Sequence, residues 1–79
     1  MFEKLNKMKE QVKNELTHIP RGTLEQNFLR MYYWPLRMRS LKGGTEHKTK
    51  KQVLQDCIDM ARKDNPNFKP DYDRDFFDK

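Results

Sequence analysis

The chain is 79 residues long, carries +5 at neutral pH, and is 34% hydrophobic and 37% charged, which leaves room for one small domain with a limited core. No run approaches the ~20 apolar residues of a membrane span. The first residues lack the apolar stretch of a secretory signal, and a lone Cys57 excludes an internal disulfide, so a cytoplasmic protein with no membrane association is expected.

Phe2, Leu5, Met8, Val12 and Leu16 recur at steps of three and four, which places them on one stripe of a first helix that closes at His18-Ile19-Pro20. Packing within a monomer is the favoured use of that stripe. Leu5, Val12 and Ile19 are also spaced by seven, so a homodimer through this helix is the alternative, although fewer than three heptads is short for one.

Arg21-Gly22 is a turn, and Thr23 with Gln26 has the form of a capping box that opens a second helix. Leu24, Phe28, Met31 and Tyr32 share a face of that helix at helical spacing. An interior proline removes a hydrogen bond and clashes with the previous turn, so an end or kink is expected at Trp34-Pro35. Residues 35–42 would then form a further helical turn or an irregular segment, ended by Gly43-Gly44.

Residues 42–51 combine two glycines with lysines and predict an exposed loop. Thr49 and Gln52 form a second capping box. Val53, Leu54, Cys57, Ile58, Met60 and Ala61 lie on one arc of a helix over residues 50–63, which ends before Asn65-Pro66.

Residues 65–79 change character, with aspartates interleaved among Phe68, Tyr72, Phe76 and Phe77. This tail is flexible or strapped over the rest, and the area of four large rings favours partial docking. The expected fold is therefore all-α: a small bundle of three to four short helices in residues 1–64, with a partly flexible acidic and aromatic tail at 65–79.

Catalysis needs a nucleophile with a base, a carboxylate pair or a held metal, and no such constellation stands out. His18 and His47 are far apart beside turn residues, the reading of solvated histidines. Cys57 falls on an apolar arc as a small buried hydrophobe. Asp71, Asp73 and Asp75 begin like a calcium loop, but Phe76 stands where such a loop needs glycine. The chain is expected to be a non-enzyme without metal or cofactor.

The strongest functional signal is the central segment. Residues 21–51 hold eight basic side chains against two acidic ones, and Arg30, Arg37 and Arg39 flank Tyr33 and Trp34. Arginine pairs with phosphate and stacks on bases, while aromatic rings offer faces for unpaired bases. RNA or single-stranded DNA is thus the favoured partner, contacted by Arg30, Tyr33, Trp34, Arg37, Arg39, Lys42, Lys48, Lys50, Lys51 and Arg62. The acidic tail would compete for that surface as an internal mimic of the polyanion. The alternative is a small inhibitor or adaptor, of the kind viruses and mobile elements encode, that regulates a larger enzyme through Tyr33, Trp34, Arg37 and Arg39, because aromatic and arginine side chains dominate interfaces. The opposing structural reading gives Phe28, Met31, Tyr32 and Trp34 to the core and leaves the arginines as a solubilising surface.

Overall fold

A computed structural model describes residues 2–43 and 48–78. Four helices and no strands are present among the described residues: α1 (Glu3–Leu16), α2 (Leu24–Leu41), α3 (Lys50–Asp64) and the single turn α4 (Arg74–Phe77). Helix α2 is central and packs against both α1 and α3. None of the helices is long and apolar enough to cross a membrane.

The stripe of α1 deepens along its length. Val12 and Leu16 are buried, Leu5 and Met8 are partly covered, and Phe2 stands in solvent. The chain then turns through Thr17, whose backbone N–H and hydroxyl both donate to the Asn14 carbonyl. Ile19 is fully buried as the link between α1 and α2.

Helix α2 differs from its sequence reading in three respects. It runs unbroken through Pro35. Proline deprives the Met31 carbonyl of its donor, but Met31 and Pro35 are exposed, so water can satisfy that carbonyl. The second difference is the buried face, which holds Gln26, Leu29, Tyr33, Arg37, Met38 and Ser40, whereas Leu24, Phe28 and Met31 are exposed. Third, the capping box at Thr23 is only half made. The Thr23 hydroxyl accepts from the Gln26 N–H, but the Gln26 side chain turns away to the tail.

Gly43 has φ 75°, the left-handed conformation that suits glycine just past a helix end. Gly44 and His47, assigned to the helix stop and the loop, lie outside the described residues. Helix α3 begins with the full capping box: Thr49 accepts from Gln52 N–H, and the Gln52 side chain accepts from Thr49 N–H. Its buried face is Val53, Leu54, Cys57, Ile58 and Ala61. Met60, placed on the same arc by sequence, is 40% exposed at its edge.

Residues 65–78 cross the bundle as a strap. Gln26 holds the Asp71 backbone from both sides, its Nε2 donating to the carbonyl at 2.7 Å and its Oε1 accepting from the N–H at 3.0 Å. Phe68 is buried, and Phe77 is fully buried. The Phe77 ring meets Tyr33, Tyr72 and Phe76 edge-on at 6.0, 5.9 and 5.1 Å, the geometry aromatic quadrupoles prefer. Full burial of one phenylalanine contributes about 1.5–3 kcal/mol, so the strap is part of the core.

A candidate protein-docking groove

The ten residues singled out by sequence divide sharply in the fold. Tyr33 is fully buried and Arg37 is 9% exposed, which corrects their assignment to a partner-facing surface. The reason is Glu15, brought opposite them from α1. Arg37 donates to its two oxygens at 2.8 and 3.2 Å, and the Tyr33 hydroxyl donates to one of them. Burial alone would push the Glu15 carboxyl up. The bonds from Arg37, Tyr33 and Gln11 outweigh it and hold the group below its ordinary value. Burial, and then the Glu15 bond, push the Tyr33 hydroxyl far up.

Other basic members of the set are tied down closer to the surface. Arg30 closes the end of α1 by donating to the Leu16 and Ile19 carbonyls. Lys48 pairs with Asp56 at 2.6 Å, and its carbonyl accepts from Arg37 and Ser40. Lys50 lies 3.5 Å over the Phe76 ring, which is also stacked on His18 at 3.8 Å. Lys51 reaches Asp78 at 3.5 Å, and Arg62 Nε donates to the Phe68 carbonyl.

Arg39 and Lys42 remain exposed near the end of α2, and Trp34 is half-buried. The ten residues therefore form no single surface. Two acids of the strap, Asp73 and Asp78, pair with His18 and Lys51. Asp73 caps α4 and pairs with His18 at 3.1 Å, and the Phe76 N–H, then His18, hold its carboxyl below the ordinary range.

What the fold does assemble is an apolar groove between the start of α2 and the end of α3. Leu24, Phe28 and Tyr32 line one side and Ala61 the other, around a cavity of about 220 Å³, with Glu25, Asp64 and Asn65 also lining it. Leu24 is 67% exposed and Phe28 is 40% exposed, and Phe28 stacks on Tyr32 at 6.3 Å. Met31 and Met60, chain neighbours of the lining residues Tyr32 and Ala61, are 65% and 40% exposed. No lysine or arginine lines the groove among the described residues, so its local charge opposes that of the whole chain.

Sequence periodicity set Leu24, Phe28 and Met31 on one face, and the structural reading that gave Phe28 and Met31 to the core is corrected by their exposure. The informative signal was Pro35. It follows these residues by eleven, seven and four positions and so shares their face. A proline inside a helix needs solvent for the carbonyl it frees, which marks that face as the outer one.

Among the described residues, no group of three or more His, Cys, Asp or Glu side chains is placed to hold a metal. Comparison with protein-family models, curated proteins and solved structures gives no match to this chain.

Proposed function

We propose that the chain is a non-catalytic binding module, a small adaptor or inhibitor, whose α2–α3 groove receives apolar side chains of a protein partner flanked by basic groups. The observation that carries this reading is the exposure of Leu24 and Phe28 on the wall of one cavity, with Met31 exposed on the same face of α2. Contiguous exposed apolar surface marks interaction sites, and covering it gains about 25 cal/mol per Å². Methionine adapts its shape to a partner, phenylalanine supplies a stiff anchor, and Glu25 with Asp64 favours cationic flanks.

A nucleic-acid reading through the central segment keeps a narrower basis: exposed Arg39, Lys42 and Lys51, with half-buried Trp34. One experiment separates the two. The tagged chain is used as bait in a nuclease-treated extract, beside Phe28→Asp and the double change Arg39→Ala with Lys42→Ala. Groove binding predicts a stoichiometric protein that survives nuclease, is lost with Phe28→Asp and is kept by the double variant. Loss of every partner on nuclease treatment, or loss only with the double variant, contradicts the groove.

A further inference from the structure

The strap creates a second site that shares no residue with the groove. Arg62 of α3, with Lys69 and Arg74 of the strap, lines a cavity of about 190 Å³. Gln55 and Ile58 of α3 and Pro70 and Tyr72 of the strap complete its walls. The three cations are dispersed in sequence and meet because the strap is anchored by the Gln26–Asp71 bonds and the Arg62–Phe68 bond.

No carboxylate lines this cavity among the described residues. Asp73 is engaged by His18, and Asp78 lies near Lys51. Asp71 and Asp75 adjoin the lining residues Pro70, Tyr72 and Arg74 in sequence without lining the cavity, and Asp59 accepts from the lining Gln55 at 3.0 Å. Three like charges around one hollow repel one another, and an anion seated among them removes that repulsion.

We propose that this cavity binds a nucleotide, with its phosphate among Arg62, Lys69 and Arg74 and its planar base against Tyr72 and Pro70. Arginine offers a planar fork and lysine a mobile point charge, a pairing suited to phosphate oxygens. Tyr72 is half-buried and its ring is held edge-on to Phe77, so a stacking platform would need little ordering. The same chemistry comes from two sources, a free nucleoside phosphate or one unit of a single strand. The site goes beyond the protein-binding reading and does not depend on it.

Calorimetric titration of the full chain with thymidine monophosphate, inorganic phosphate and an oligothymidylate tests the assignment. The nucleotide or the strand should bind at least about tenfold more tightly than inorganic phosphate, because only they stack. Lys69→Gln combined with Arg74→Gln should weaken that binding by about tenfold or more. Both side chains are exposed, and circular dichroism checks that the variant keeps its helices. Backbone amide shifts should centre on Gln55, Ile58 and Tyr72. Tighter binding of the strand assigns the site to single-stranded nucleic acid, and tighter binding of the monophosphate assigns it to free nucleotide; each supports the site. Equal affinity for phosphate and nucleotide, an unaffected double variant, or shifts spread along the lysines of α1 would overturn it.

Discussion

Glu15 sits in the middle of the bundle with three side-chain donors from Gln11, Tyr33 and Arg37. Removing one member of a buried ion pair leaves an uncompensated charge, so Arg37→Met should cost about 3–5 kcal/mol, and adding Glu15→Leu should recover much of that loss. Chemical denaturation of the two variants measures both effects. The carboxyl is held below its ordinary value of 4.5 in the folded state, so the unfolded chain takes up its proton first as pH falls. The stability contributed by Glu15 is therefore complete above that value and is lost as pH drops through the folded one. The urea midpoint should fall when pH is lowered from 7 to 3, and a midpoint that rises would contradict the arrangement. At Cys57, burial and then the charge of Asp56 push the thiol up to about 12. Because the thiolate is the reactive form, an aromatic disulfide reagent at pH 8 should modify the native protein only as fast as it opens, and the denatured protein at once.

At the scale of the helix, α2 carries a proline and a polar buried face together. Pro35→Ala restores a backbone donor to an exposed turn, and an interior proline is about 3 kcal/mol less favourable than alanine. The loss of chain restriction in the unfolded state offsets part of this, so a gain of about 1–2 kcal/mol is expected, read as a higher melting temperature. Thr49→Ala removes the hydroxyl of the complete capping box and should cost about 1 kcal/mol.

Helix α3 was legible because its buried face is apolar throughout, and α1 because its apolar stripe keeps a period of 3.6 even though Glu15 is buried beside it. The buried face of α2 was not, because Gln26, Arg37 and Ser40 interrupt it. Each is satisfied by a group that local pattern does not reveal: Asp71 for Gln26, Glu15 for Arg37 and Lys48 for Ser40. With that face diluted, Phe28 and Met31 on the more apolar stripe passed for core residues. The same inversion hid the candidate groove and put Tyr33 and Arg37 among the surface residues. The tail was better resolved, since the cost of leaving its rings in water already argued for docking, although the route through Gln26 and His18 depends on long-range contacts.

Across the whole molecule, the strap and the groove have opposite roles. The strap closes the core with Phe68 and Phe77, and a 79-residue domain has a total stability of about 4–12 kcal/mol. Truncation after Asn65 removes two buried rings worth about 1.5–3 kcal/mol each, so the shortened chain should lose cooperative unfolding, as seen by circular dichroism in a urea series. The groove, by contrast, leaves apolar side chains uncovered. Photo-crosslinking from that face tests the central claim most directly. Met31→benzoylphenylalanine should yield one dominant protein adduct that resists nuclease and disappears when Phe28→Asp is added, while the same group at Lys9 on α1 should yield none. Adducts of equal yield from both positions, or adducts from Met31 that nuclease removes, would contradict a protein partner seated between α2 and α3.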